Sequence, residues 1–208
     1  VPGCGAVQAG VVEPDNPFCS GSGLVMDDLV YGIDFGTSNS AVAICRNGQA
    51  HLLELPGSSG GIVRSVIHFP REPGSLPLVG AQAIQSYVDS GMTGRLIQSV
   101  KTVLPDRTFQ GTTIHRTLFG AADLVAVILR ELKRAADLIT GYDVRQVVLG
   151  RPAVFSPVAE EDRLAQQRLH EAALIAGFSE IRFQIEPIAA ALAYKATITR
   201  PQTVLVAD

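Results

Sequence analysis

Apolar residues recur along this chain with two different periods, and the change of period divides it. Residues 29–35 and 40–45 are dense apolar runs of strand length, separated by a turn at Gly36. Asn47-Gly48 follows, the strongest short hairpin signal, and 51–55 supplies the returning strand. The glycine- and serine-rich stretch 57–61 reads as a loop, and 65–69 as a strand closed by Pro70. Residues 81–89 and 95–104 then read as two short helices, the second ended by Pro105. A small hairpin is expected over 108–114. The clearest helix comes next. Leu124, Val125, Ile128, Leu129, Leu132, Ala135, Ala136 and Ile139 mark one face, and Gly141 is its stop.

From there the pattern becomes strand, helix, strand, helix, strand. Residues 146–149 are a fully apolar strand. Ser156 is placed to cap the following helix with Pro157 at its first position, and Gly177 to stop it. A strand over 181–185, a helix over 188–195 and a buried strand over 204–207 complete the order. A meander followed by right-handed crossovers predicts a mixed sheet with flanking helices, an α/β fold. The last strand reaches the final residue, so the chain reads as a fragment. Residues 1–25 hold five of the 20 glycines, three prolines and no Lys or Arg, and read as an extension without ordered structure.

Composition narrows the function classes. With 208 residues, 47% of them hydrophobic, the chain can bury a sizeable core. A net charge of −3 gives no general pull toward nucleic acid or anionic membrane. No apolar run approaches the roughly 20 residues of a membrane span. Cys4, Cys19 and Cys45 are an odd, sparse set without CxxC spacing, which points away from a disulfide framework or zinc site and toward a reducing, cytoplasmic setting. His51, His68, His115 and His170 share no metal-ligand spacing, so structural or surface roles are expected. Glu160-Glu161-Asp162 reads as the charged first turn of a helix, and Arg130, Lys133 and Arg134 as a solvated helix face. The 57–61 loop lacks the Gly-Lys-Ser/Thr ending of a Walker loop.

Four features would meet at the strand ends. Asp34 closes the first strand, and Gly36-Thr37-Ser38-Asn39 turns directly into the second. Backbone N–H groups in such a turn form an anion nest, and an aspartate beside it suits a hydrated magnesium ion. A strand rather than a helix follows, which excludes the P-loop and the Rossmann fingerprint. Lys101 ends a short amphipathic segment, Glu186-Pro187 follows the 181–185 strand, and Asp208 ends the last one. Each alone has an ordinary explanation: a turn, a solvated lysine, a favourable helix start, a chain end.

Their order and spacing, with Tyr31-Gly32-Ile33-Asp34-Phe35-Gly36-Thr37-Ser38-Asn39-Ser40, Gly150-Arg151-Pro152 and Glu186-Pro187 before an Ala-rich helix, resemble the nucleotide-binding domain of the seventy-kilodalton heat-shock (DnaK-like) chaperones. These belong to the actin and sugar-kinase superfamily. The resemblance covers residues 29–208 and looks most similar to the YegD-like subgroup. It implies the first lobe of an actin-like (ribonuclease H-like) ATPase fold. The core unit would be 26–61 with 119–208, and a smaller α+β insertion, 62–118, would carry Lys101. It further implies ATP and Mg2+ as cofactors. Asp34 and Asp208 would hold the metal through water, and Glu186 would orient that shell. Gly36, Thr37, Ser38 and Asn39 would meet phosphate. Lys101 would stabilise the transferring γ-phosphoryl, and Pro152 would relay nucleotide state between domains. Client polypeptides and co-chaperones would bind regions beyond this chain, with no nucleic acid or membrane partner. Ile188 stands where the family usually has Thr, and Thr102-Val103-Leu104-Pro105 departs from its usual basic, glycine-containing sequence. A small-molecule kinase and a nucleotide-dependent actin-like scaffold are the alternatives on the same fold; Lys101 favours the chaperone line. With half a phosphate clamp, the fragment by itself is expected to be inert.

Overall fold

The computed structural model describes residues 29–46, 49–195, 199, 200, 203, 205 and 206. The 1–25 extension, the Asn47-Gly48 turn and Asp208 lie outside the described residues. The chain opens with β1 (Val30–Phe35), β2 (Asn39–Arg46), β3 (Gln49–Leu52) and β4 (Ile62–Arg64). Next come β5 (Val66–Phe69), β6 (Leu78–Val79), α1 (Ala81–Asp89), β7 (Arg95–Gln98) and a 3-10 turn over Val100–Val103. β8 (Thr112–Ile114), β9 (Thr117–Phe119), α2 (Ala121–Thr140), β10 (Gln146–Arg151), α3 (Ala159–Ala176), β11 (Glu180–Ile185) and α4 (Glu186–Lys195) follow.

The large sheet has the order β11-β10-β1-β2-β3, with β4 added to β2. β11, β10 and β1 are parallel, and β2 runs antiparallel to β1. The mixed α/β sheet with flanking helices is therefore as the sequence predicts. Alternation fixes its faces. Tyr31, Ile33 and Phe35 of β1 are fully buried in one cluster with Val147 and Leu149 of β10 and the apolar stripe of α2. Tyr31 hydrogen-bonds to α2, Arg151 to α3, and the Phe183 ring lies beside His170 of α3. Both long helices thus cover the face that carries the odd-numbered residues of β1 and β10. Gly32, Asp34 and Gly150 belong to the opposite face.

The predicted helix stops hold. Gly141 and Gly177 take left-handed φ values of 78° and 107°, and their N–H groups return to the last turns. At the other end of α2, Asp123 accepts the Gly120 N–H at 2.8 Å.

Several local expectations are corrected. Residues 95–104 are not a helix. Arg95 to Gln98 pair with Phe69 to Val66 in a second sheet, β6-β5-β7. β5 is buried along its whole length, and its backbone groups need a ladder on both sides. Leu96, Ile97, Val100 and Leu104 fit either period in so short a run, and pairing decides. The hairpin is β8–β9, turning over His115 (φ 48°) and Arg116 (φ 67°) instead of lying within 108–114. That turn carries neither Asn nor Gly at its tip, so no turn signal marked it. α3 begins at Ala159, not Pro157. Ser156 donates to Glu161 at 2.6 Å and accepts the Val158 N–H, and Asp162 accepts the Phe155 N–H, so the bent segment before the helix is tied down by side chains of its first turn. α4 begins at Glu186, with Pro187 in its first turn, where a missing N–H costs nothing. Of the strand expected over 204–207, Val204 and Ala207 lie outside the described residues, while Leu205 and Val206 are not in a strand and Leu205 is 92% exposed. A buried strand requires a hydrogen-bonded neighbour, and among the described residues these two have none. Cys45 is disulfide-bonded. An odd count argues against a framework, but one bond needs only two sulfurs.

Lys133 is not solvated. It is 6% exposed, its stem lies along Gly177, and its ammonium sits 5.7 Å from the Phe178 ring centroid. Asp137 and Asp143 accept from it at 2.6 and 2.5 Å. Asp137 also accepts the Tyr31 hydroxyl and the Val144 N–H. Burial pushes the Tyr31 hydroxyl well above the ordinary tyrosine range. Burial works against the charged Lys133 amine, yet its two aspartates outweigh that and raise its pKa above 10.5. The amine's stabilising contribution is therefore complete at neutral pH and fades only as pH rises through that raised value. Lys133→Met should lower the unfolding free energy by about 2–4 kcal/mol, since it strands a half-buried Asp137. Tyr31→Phe should cost about 1 kcal/mol. Equilibrium urea unfolding checks both.

Candidate functional site

The site is built where the parallel strands end. Asp34 is the penultimate residue of β1 and is half-buried. Its neighbour across β10 is set by register: Ile33 pairs with Leu149, so Asp34 and Gly150 are the next positions on one face. Beyond Phe35 the chain reverses in four residues. The Gly36 N–H donates to the Asn39 carbonyl at 3.0 Å, and a Cβ at Gly36 would lie 2.3 Å from that oxygen. Only glycine closes this turn. Thr37 and Ser38 stand exposed at its tip. The turn is braced from behind: the Ser65 N–H donates to the Ser38 carbonyl at 2.9 Å, and the buried Ser40 and Ser65 hydroxyls lie 2.9 Å apart.

Glu186 enters from the end of β11 as the first residue of α4. Its carboxylate lies over Gly150, where an added Cβ would come within 3.3 Å of Cγ and 3.4 Å of Oε1. Lys101 reaches the same carboxylate from the 3-10 turn, with Nζ donating to Oε1 at 2.9 Å. The two side chains are only 12% and 24% exposed. Val100 and Leu104, both buried, anchor the turn and leave Lys101 directed at Glu186. So the structure brings Lys101, Glu186 and Gly150 into contact, with Asp34 and the Gly36–Asn39 turn on the same strand ends. Asp34 and Glu186 supply carboxylate oxygens, the donor type a hydrated magnesium ion accepts. Among the described residues no group of three or more His, Cys, Asp or Glu could ligate a metal directly.

Pro152 follows Gly150 by two residues and is half-buried. What holds it was not visible in the sequence. Arg151 donates to Asp162 at 2.9 and 3.2 Å, to Gln166, and to the carbonyls of Pro152 and Ala153. Its guanidinium lies 5.1 Å from the Phe155 ring centroid. Asp162 also takes the Phe155 N–H at 2.7 Å. That N–H, aided by Arg151, holds the Asp162 pKa below its ordinary 3.8. The charged first turn of α3 thus has specific partners: Glu160 meets Arg107, and Glu161 meets Ser156. The signal available in sequence was an arginine at the end of a strand, followed by an acidic helix start.

The histidines stay outside the site. His68 is fully buried between Ser86 and the Thr93 carbonyl, and the other three are exposed.

A family model described as Hsp70 protein matches residues 30–208. The chain belongs to the Hsp70 family. It is 34% identical over 184 residues to a chaperone protein HscA homolog of Actinobacillus pleuropneumoniae, covering 80% of this chain and 28% of that protein. It is 32% identical to chaperone protein DnaK of Ureaplasma parvum, covering 87% of this chain and 28% of that one. The mitochondrial heat shock 70 kDa protein of Dictyostelium discoideum is 29% identical, over 92% and 30%. This Hsp70 chain therefore spans under a third of the length of these curated relatives. Membership agrees with an actin-like fold for the mixed sheet. No described helix of the Hsp70 chain is long and apolar enough to cross a membrane.

Two outcomes follow from the geometry. Gly36→Ala should destabilise the fold by about 1–3 kcal/mol, because its Cβ meets backbone that cannot move without breaking the β1–β2 turn; a thermal melt reads this. Asp162→Asn should speed amide exchange at Phe155 while leaving α2 unchanged. In the unmodified chain, the stabilisation from ionised Asp162 is present above pH 3.8 and is lost as pH falls through its depressed folded value.

Proposed function

We propose that the protein containing this chain is an Hsp70-type chaperone ATPase and that this chain is its first nucleotide-binding lobe. The observation that carries the reading is the Lys101–Glu186 pair at the carboxyl ends of the parallel strands. An open α/β sheet binds ligands at that edge. Phosphoryl transfer to water needs placed charge more than covalent chemistry.

In this reading Thr37, Ser38 and the backbone of the Gly36–Asn39 turn meet the phosphates of Mg-ATP. Lys101 stabilises charge on the γ-phosphoryl and orients the attacking water, and Glu186 holds Lys101 in place. Asp34 and Asp208 would hold magnesium through water, and Glu186 would order that shell. The metal's contribution is to neutralise phosphate charge. Pro152, fixed by the Arg151–Asp162 clasp, is the residue we assign to relaying nucleotide state. Gly150-Arg151-Pro152 and the long segment before α3 support the YegD-like subgroup.

The same reading keeps 26–61 with 119–208 as the core unit and 62–118 as the insertion that delivers Lys101. β4, at the seam, pairs with the core sheet. Clients and co-chaperones would engage the rest of the protein, and the present chain by itself would not turn over ATP. The test is Mg-ATP turnover by the full natural protein beside Lys101→Ala and this chain. Lys101→Ala should lower kcat by roughly 100- to 1000-fold, and the isolated chain should show none. Failure of the full protein to bind ATP would overturn the proposal.

A further inference from the structure

The turn that carries Lys101 is clamped by one residue from another element. Arg168 lies on α3, and its Nη1 donates to the carbonyls of Val103 at 3.0 Å, Leu104 at 2.9 Å and Asp106 at 2.8 Å. Two N–H bonds serve three oxygens, so one hydrogen is shared. These are the carbonyls at and just past the end of the 3-10 turn, which have no acceptor role inside it. They are also its negative end, where a cation is favoured.

The turn is not one its own sequence would select. Ser99, which opens it, sits in the left-handed region at φ 56°, ψ 35°, although it carries a side chain. Within the turn, the Thr102 hydroxyl and N–H both return to the Ser99 carbonyl, and the Leu104 N–H to the Lys101 carbonyl. Val100 and Leu104 bury its apolar side, and the carbonyls on its far side face Arg168. Arg168 adds a constraint at its carbonyl end. α3 is packed against α2 and the sheet, so it is a rigid reference, and a guanidinium is a planar donor. A second link, Arg107 to Glu160, is exposed on both sides and adds little.

We propose that Arg168 is a positioning residue for phosphoryl transfer: by holding the carbonyls of the 3-10 turn it sets where Lys101 Nζ sits against Glu186. This rests on the role given to Lys101 above. A displacement of about 1 Å at a reacting group can cost 100-fold in rate. Loss of Arg168 therefore acts on kcat, through Lys101, without touching nucleotide affinity.

The experiment uses the full natural protein with Arg168→Met, Arg168→Lys, Lys101→Met and the Arg168→Met/Lys101→Met double variant. Amide exchange at Thr102 and Leu104 and steady-state ATP turnover are measured on each. Arg168→Met should speed exchange at both amides and lower kcat roughly 10- to 100-fold, with KM for ATP within about threefold. Arg168→Lys, which keeps a cationic donor, should recover most of the rate. In the Lys101→Met background Arg168→Met should cost nothing further. Arg168→Gln replaces Arg168→Met if the latter does not fold. Unchanged exchange at Thr102 and Leu104, or an equal rate loss in the Lys101→Met background, would overturn the proposal. No turnover in the unmodified protein would remove the function assigned to Lys101 and the rate claim with it. The exchange result would then still decide whether Arg168 holds the turn.

Discussion

Three parallel strands in fixed register, β1, β10 and β11, place their carboxyl ends on one edge, and the site depends on that edge. Asp34 leaves β1 there, Gly150 and Arg151 leave β10, and Glu186 leaves β11. The register is set by burial: Tyr31, Ile33 and Phe35 must all face α2 and α3, and a shift of one residue would turn them to the other side. The same alternation that buries these three assigns Asp34 and Gly150 to the opposite face. The core and the site are thus two readings of one pattern.

Lys101 is the group that the sheet alone cannot supply. It comes from the segment between β7 and β8, which shares few covalent constraints with the sheet edge. Its placement needs long-range contacts: Val100 and Leu104 in the core, Arg168 on the carbonyls, Glu186 on the amine. Each joins residues more than 60 positions apart in sequence for the polar contacts. Contacts of this kind leave no local pattern.

That difference explains what could be read in advance. The sheet, its crossovers, the glycine stops of α2 and α3 and the Asp34 turn were legible because periodicity and turn chemistry are local. Lys101 and Glu186 are legible as residues but not as a pair, and the segment carrying Lys101 has a sequence that also suits a helix. Its apolar spacing allowed either period, and the demand of β5 for a second neighbour decided. The Arg151–Asp162 clasp and the burial of Lys133 leave no mark in the sequence for a related reason. An isolated charge in a sequence looks solvated until a partner of opposite sign is folded onto it.

Two lysines, the buried Lys133 and the part-buried Lys101, use the same chemistry in different settings. Lys133 meets two carboxylates and a ring, and its pKa is raised. Its charge is fully answered, and the group is locked. Lys101 meets one carboxylate among the described residues, at the open edge of the sheet. An ammonium has three donors, and one accepting carboxylate leaves two for an incoming anion. Glu186 therefore does opposite things to the two demands on Lys101. It holds the amine in one place at the sheet edge, and in the proposed function it would give up part of that claim to a polyphosphate. A lysine answered as completely as Lys133 can hold a fold together, whereas the role proposed for Lys101 requires donors that its single carboxylate leaves over.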